Sequence, residues 1–581
     1  MDEGAVEPPY QYHPLRYPDS VRILQLAPSA SFEDPILCTL IAYRLSDPRL
    51  NFEPVSYTWG DASDRVLIHV GGNGACLSVT RNCFNTLKSL RQPDLPRLLW
   101  IDAICINQDD VAERSAQVRI MDKVYATGQQ TLIYLGEATH ENDMLFAELE
   151  AADSDLGKGT IDERSKPDGF IVQQLEELLE RPWFQRVWVL QEVFLNDNRL
   201  VICGQRRCSW TALRSCLFGF GNNKLVVAND LPPVFCLHRW NADRAMPAWL
   251  NLWIHLNETR ALLATNPKDK IFALKALLGR DQDDVNHLID YRFGLPEVLT
   301  NLARSLLHSV GLVILSAIRS ATKRSMASWV PDWSQTDSRH FAWVTLGSDE
   351  AFDFNDDGLL ASDRRKYSYH FSIISSMGTP FPLLQVYGWR IGLPSVLGPT
   401  LLFQNLEDVR LQLSPILDRN KNLSGEGSGG WQPPLIEALR WLGNEVTSFI
   451  SPHGLNTLGN TRTPDPALIL TMNENVQSMG AVLHGRRFAL VDQRDLAILP
   501  DAAQESDVLF LIQGNPKPCL LRESSGGRWS IVGGNCHYLS LGGDKPDETL
   551  RWCLSLMERV STKEWDDIRD ALGEPVALYL E

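Results

Sequence analysis

The sequence predicts an α/β fold, with a mostly parallel sheet flanked by helices over about residues 20–200. A mainly helical middle region follows, then a β-rich α+β region with a small antiparallel sheet near the C-terminal end. Three observations predict this. Short apolar runs alternate with helix-length amphipathic segments up to about residue 200, the pattern of strands joined by crossover helices. From about 201 to 420 apolar residues recur mainly at helical spacing, and beyond about 436 period-two runs return between turn signals.

The elements can be taken in order. Val21–Leu26 and Leu37–Arg44 read as strands that introduce the sheet. Val55–Trp59, Val66–Val70, Leu98–Ile104 and Thr131–Leu135 are further apolar strands that end in polar or Gly residues. Asn82–Leu90 and Asp110–Ala126 read as helices. Asp110 is placed as an N-cap with Glu113 three residues on, a capping-box spacing. Ala116, Ile120, Met121, Val124 and Tyr125 then recur at helical spacing, and Gly128 follows as a stop. Phe170–Leu179 reads as an amphipathic helix, and Trp183–Phe194 as another that restarts after Pro182, where a missing N–H is harmless. Pro247–Leu263, Lys270–Leu278 and Pro296–Leu315 are the helices of the middle region. Residues 421–435 read as a flexible linker or loop around the Gly/Ser-rich 422–430. In the last region, 436–581, the expected strands are Arg487–Val491, Leu496–Leu499, Val508–Ile512, Pro518–Arg522 and Trp529–Val532, with a closing helix at Glu564–Leu572. Asn198–Cys208 has no Gly/Ser-rich character, so the chain beyond 200 is expected to pack on what precedes it.

Composition narrows the function classes. The 581 residues carry a formal net charge of −17, which disfavours general binding to phosphate backbones, so no nucleic-acid partner is expected. The eleven cysteines include no C-x-x-C pair and no zinc-ligand spacing, so reduced, buried thiols and no metal are expected. The acidic start Met1-Asp2-Glu3 is unlike a secretory signal, and the longest apolar run, Val310–Ile318, is too short to cross a bilayer. The expected location is cytoplasmic, or else nuclear. No phosphate-binding G-x-x-x-x-G-K-[ST] loop is present.

Four segments carry a more specific signal. They are Ser56-Tyr57-Thr58-Trp59-Gly60-Asp61; Leu99-Trp100-Ile101-Asp102-Ala103-Ile104-Cys105-Ile106-Asn107-Gln108; Glu113-Arg114 with Gln117, Met121 and Tyr125; and Arg181-Pro182-Trp183-Phe184-Gln185-Arg186-Val187-Trp188-Val189-Leu190-Gln191-Glu192. In order and spacing these resemble the fungal heterokaryon incompatibility (HET) domain over about residues 52 to 194. Tyr134 stands where that family usually has Trp. The segments Pro267–Leu274 and Val330–Ser334 resemble stretches that often follow a HET domain. The resemblance implies a signalling or cell-death effector in fungal non-self recognition, working with protein partners or by self-association.

The HET domain is in turn similar to the Toll/interleukin receptor (TIR) domain, which implies a TIR-like, flavodoxin-like sheet here. Several TIR domains cleave NAD, with a catalytic Glu in the helix that bears Trp-x-x-x-Glu. That resemblance implies Glu192 as the catalytic residue, in Trp188-x-x-x-Glu192, and NAD as substrate, with no certain cofactor. Open parallel sheets place ligands beyond the carboxyl ends of their strands. A pocket lined by Trp59, Asp61, Asp102 and Glu192 follows, with Trp59 able to stack on a flat ring. Other roles compete at each position. Glu192 could be an ion-pair partner for Arg114 or Arg186, and Asp102 could cap the turn that follows it. Trp100, Trp183, Phe184 and Trp188 could be core anchors, and Cys105, between two isoleucines, reads as an inert thiol. A third reading is a non-catalytic scaffold that only oligomerises.

Overall fold

The architecture was obtained as a computed structural model. It describes chiefly residues 8–158, 169–217, 232–236, 248–318, 325–335, 371–374, 381–401, 485–539 and 572–581. The chain divides into two compact units, Met1–Gly294 and Leu295–Glu581.

The first unit is built on one nine-stranded sheet. Its elements are β1 (Ser20–Leu26), β2 (Leu37–Arg44), β3 (Glu53–Tyr57), β4 (Arg65–Val70), β5 (Cys76–Thr80), α1 (Arg81–Leu90) and β6 (Arg97–Trp100). Then come α2 (Asp102–Cys105), α3 (Val111–Thr127), β7 (Thr131–Tyr134), α4 (His140–Lys158), α5 (Gly169–Leu179), α6 (Val189–Phe194), β8 (Arg199–Cys203) and β9 (Arg206–Ser209). The strand order is β5-β4-β2-β1-β6-β3-β7-β8-β9. The three strands expected to lie together, at Val55, Leu99 and Leu132, do so and run parallel. Glu53 pairs with Leu99, Val55 with Leu132, and β8 extends the parallel set from β7.

The sheet is nevertheless mixed, which corrects the expectation of a mostly parallel one. The β5–β4, β2–β1, β1–β6 and β8–β9 pairs are antiparallel. For β1–β2, β4–β5 and β8–β9 the cause is loop length: consecutive strands joined by short connections return antiparallel, whereas the parallel neighbours β7 and β8 are joined by the long crossover α4–α6. Gly204 turns β8 into β9 at a φ of +56°, and an added Cβ there would meet Ala138 at 2.8 Å.

Local chemistry explains the element ends. Thr80 caps α1 through Cys83 N, and Asp110 caps α3 by accepting from Ala112 N and Glu113 N. Glu113 does not return to the cap as a capping box would. Its carboxylate takes Asn107 N at 2.8 Å and pairs with Arg22, which also donates to Cys105 O at 3.1 Å. The helix expected over Trp183–Phe194 is broken. Pro182–Gln185 is a 3-10 turn, Arg186 is extended, and α6 begins only at Val189. The core beneath holds Ile23, Leu24, Val55, Leu99, Trp100, Ile104, Val124 and Tyr125, all buried.

Unit one runs well past residue 200, and its later residues pack on the earlier ones. α7 (Trp210–Leu217) and α8 (Pro233–Cys236) bring Trp210 and Phe235 against Trp183 and Phe184, with ring centroids 6.1 and 5.8 Å apart across the two sets. α9 (Ala248–Glu258) and α10 (Asp269–Phe272) follow. A first prediction arises here. Residues 1–294 expressed alone should give a soluble fragment that melts in one cooperative transition. Residues 1–200 should not, because that cut falls inside β8, removes all of β9 and takes away Trp210, which packs on Trp183. Calorimetry of both fragments checks this; a cooperative 1–200 fragment would contradict it.

The second unit opens on α11 (Leu295–Val310), whose buried face carries Val298, Leu299, Leu302, Ala303, Leu306 and Leu307. Among the described residues, Leu295–Ala317 is the one helical stretch long and apolar enough to cross a membrane, and it is mostly buried within the fold. Its strands are β10 (Ser372–Ile374), β11 (Leu383–Gly392), β12 (Pro394–Thr400), β13 (Arg486–Val491), β14 (Asp495–Pro500), β15 (Val508–Ile512), β16 (Cys519–Ser524), β17 (Arg528–Gly533), β18 (His537–Leu539) and β19 (Val576–Leu580). They form a six-stranded sheet, β10-β11-β15-β16-β17-β19, and a four-stranded one, β12-β13-β14-β18. The five strands expected between 487 and 532 are present within a residue or two at each end. The region expected to be mainly helical up to 420 also contains β10 to β12, so the β-rich part is larger than its sequence suggests. The linker at 421–435 and most of the Glu564–Leu572 helix lie outside the described residues.

Candidate functional site

The site residues are gathered at the carboxyl end of β3. Along the parallel set β6-β3-β7-β8 the chain order is second, first, third, fourth, so the direction of winding reverses between β3 and β7. A crevice beyond the strand ends at such a reversal is where open α/β sheets place ligands.

Ser56 lies on β3, fully buried, and is the hub. Its hydroxyl donates to Glu192 Oε2 in a short hydrogen bond and accepts Trp183 Nε1–H at 2.8 Å. Arg186 Nη1 reaches the same carboxylate oxygen at 3.5 Å and donates more closely, at 2.5 Å, to the carbonyl of Tyr57. Gly60 follows with a φ of +74°, and any Cβ there would strike the Asn82 side chain at 2.7 Å. That left-handed turn swings Trp59 outward, where it is 37% exposed. Its indole N–H donates to both oxygens of Asp102, at 3.2 and 3.0 Å. Asp102 also accepts Ala103 N at 2.7 Å, as the first residue of α2, and so does not serve as its N-cap.

Three of the four expected site residues are thus brought to one place, Trp59 and Asp102 in direct contact and Glu192 beside them across Arg186. Asp61 is not part of it: its carboxylate accepts Ser63 N and Oγ and stays exposed, closing a local turn. Glu192 differs from the half-open carboxylate that a ribose-binding role calls for. It is only 2% exposed. Its pairing with Arg186 is long and single, not the bidentate clamp of a structural ion pair.

The electrostatics follow from two carboxylates sharing one guanidinium. Burial raises the Glu192 pKa, opposed by Arg186 and the Ser56 hydrogen bond, and the Asp102 charge adds to the rise. Burial likewise raises Asp102, with Arg186 and Trp59 pulling it down. Burial works against the charge of Arg186, yet Glu192 and Asp102 together hold its pKa above the ordinary value. Groups perturbed by burial and by each other mark functional sites more often than chance. Cys105 is the inert thiol expected, its pKa pushed up to about 12 by burial. The nine described free cysteines are all buried, and no cluster of metal ligands occurs among the described residues.

Two residues of this hydrogen-bonded cluster have no role in the expectations from sequence. Ser56 stands in the segment Ser56–Asp61, and its partners Glu192 and Trp183 come from more than 120 positions away. Asp269 lies in the segment Pro267–Leu274, but nothing in the spacing links it to Trp188, whose Nε1–H it accepts at 3.1 Å from 81 positions away.

An α/β sheet that carries these motifs at its strand ends defines the domain class, and comparison with known families agrees. Residues 52–192 match the family model "Heterokaryon incompatibility protein (HET)". Over those residues the chain is similar to the HET family. It is similar to heterokaryon incompatibility protein 6, OR allele, of Neurospora crassa, with 25% identity over 418 residues, covering 56% of this chain and 60% of that relative. No solved structure matches it.

Proposed function

We propose that the chain is an effector of fungal non-self recognition, a cytoplasmic signalling or cell-death module that acts through its HET domain with protein partners or copies of itself. We further propose that its chemistry is cleavage of NAD at the bond between nicotinamide and ribose, with Glu192 as the carboxylate. The observation that carries this is the Glu192–Arg186–Asp102 cluster at the winding reversal beside β3, with the exposed Trp59 ring at its edge. The 2-1-3-4 order of the parallel strands supports the TIR-like reading, since flavodoxin-like sheets share that order.

In this reading the C1′–N bond breaks with its electron pair passing to the nicotinamide nitrogen, which neutralises the pyridinium. Water adds at C1′, and ADP-ribose, nicotinamide and a proton leave. An ionised Glu192 stabilises the oxocarbenium-like ribose and orients its hydroxyls. Trp59 offers a face to the nicotinamide or adenine ring. Arg186, 3.5 Å from Glu192, is the cation beside the carboxylate to which a substrate phosphate would also be drawn. Because burial raises the Glu192 pKa, the rate should fall on acidification with a midpoint above the ordinary glutamate value of about 4.3.

The burial of Glu192 favours a second reading, a non-catalytic module that works by assembly, in which the cluster only fixes β3 to α6. Purified chain incubated with NAD separates the two. The first reading expects nicotinamide release that Glu192→Gln lowers at least about 100-fold, with melting temperature preserved. No release above a protein-free control supports the second.

A further inference from the structure

The stretch that carries Arg186, Trp188 and Glu192 is held in place by residues beyond the part matched by the HET family. Arg186 and Leu263 form a parallel bridge: Val187 N–H donates to Leu263 O at 3.0 Å and Leu263 N–H to Gln185 O at 2.5 Å. A few residues on, Asp269 Oδ2 accepts the Trp188 indole N–H at 3.1 Å, while Oδ1 accepts the Tyr291 hydroxyl at 2.5 Å. Tyr291 is fixed in turn from α3. The Arg114 guanidinium lies over its ring at 4.3 Å, and its backbone N–H donates to Ser115 Oγ at 3.1 Å. Lys268 Nζ braces the same segment through the carbonyls of Tyr291 and Phe293, both at 2.8 Å.

Trp188 matters because it starts the helix of Glu192. The Glu192 N–H donates to the Trp188 carbonyl at 3.1 Å, so the two side chains share one helix face a turn apart. With only six residues, α6 is too short to hold its own geometry and depends on tertiary anchors. On one side that anchor is Ser56. On the other it is Asp269.

We propose that Asp269 is the positioning residue of the site: through Trp188 it fixes the start of α6, and so the place of the Glu192 carboxylate, without touching the substrate. The assignment rests on the catalytic reading of Glu192. Both oxygens of Asp269 are committed, to a helix that bears the site and to a tyrosine anchored on α3. Burial raises its pKa, and the bonds from Tyr291 and Trp188 together with Arg114 oppose that rise, as expected for a carboxylate held by donors on more than one side. The residues that complete the functional unit therefore reach at least to Tyr291.

The test compares full-length wild type, Asp269→Ala, Asp269→Asn and Glu192→Gln by nicotinamide release and by hydrogen exchange of the backbone amides of 187–194. Misplacing a catalytic group by about 1 Å costs up to about 100-fold, so Asp269→Ala should lower kcat at least about tenfold with KM within about twofold. Exchange across 187–194 should quicken while β6 and β7 exchange as in wild type. Asp269→Asn, of the same size and with one acceptor left, should fold and fall between. If Asp269→Ala also unfolds β6 and β7, Asp269→Asn decides the matter by the same split of kcat from KM. An active wild type whose Asp269 variants keep full kcat, or keep wild-type exchange at 187–194, overturns the assignment alone. A wild type that releases no nicotinamide overturns the catalytic reading, and the role of Asp269 with it.

Discussion

Replacing Arg186 by Gln is expected to destabilise the first unit by about 3–5 kcal/mol at pH 7, the usual cost of removing one partner of a buried charged pair. Arg186 is the one cation in contact with Glu192 among the described residues, and its charge also acts on Asp102. The loss should depend on pH in a direction opposite to that of most carboxylates. Glu192 and Asp102 both have folded pKa values raised above their unfolded values near 4. The folded state therefore binds their protons more tightly, and stability falls as pH rises through the window between unfolded and folded values. Below that window both are neutral and the penalty is absent. Without Arg186 the folded values climb further, so the window widens and part of the lost stability should return between pH 7 and pH 5. Denaturant titrations of wild type and Arg186→Gln at pH 5, 6 and 7 measure this. A loss that is constant across that range would mean that the guanidinium acts only through its bond to the Tyr57 carbonyl.

Trp183→Ala should cost a similar amount, about 3–5 kcal/mol, as expected for emptying a buried tryptophan site. Trp183 is 1% exposed, packs edge-on against Phe184 and Trp210, and donates to Ser56. Trp183→Phe separates its two roles. It keeps most of the packing but withdraws the indole N–H from Ser56, so a smaller loss of about 1–3 kcal/mol is expected from the missing buried hydrogen bond. If Trp183→Phe were as damaging as Trp183→Ala, packing would not be the larger part. Thermal unfolding of the two variants beside wild type decides it.

Much of the fold was legible because it rests on local signals. The cap at Asp110, the period of α3 and the run Val508–Ile512 each depend on a few adjacent residues. The parallel set at Val55, Leu99 and Leu132 followed from short apolar runs separated by helical segments. What could not be read was pairing. The β1–β6 pairing, across about 70 residues, helps turn an expected parallel sheet into a mixed one, and only the register of distant strands reveals it. The break of the Trp183–Phe194 helix at Arg186 has the same origin. The helical pattern is unbroken there, but the backbone around Arg186 is taken by Leu263, some 77 positions away.

The candidate site divides along the same line. Trp59 and Asp102 come into contact because both stand at strand ends beside the reversal of winding. Ser56 and Glu192 are 136 positions apart and Trp188 and Asp269 81 apart, so their hydrogen bonds left no trace in spacing. Asp61 stays apart from the cluster for a local reason, since Ser63 two residues on donates to its carboxylate within its own loop. The unit boundary at Gly294 was hidden too, because the ties that extend it are single side chains such as Lys275, which pairs with Asp122 at 3.2 Å.

The most direct measurement of the central claim is the cellular NAD content of a fungal host expressing the full chain or Glu192→Gln at matched protein levels. Action through the Glu192 cluster predicts that the wild-type chain depletes NAD and arrests growth, and that the Gln variant does neither. Growth arrest that persists with Glu192→Gln, at unchanged NAD, would contradict it.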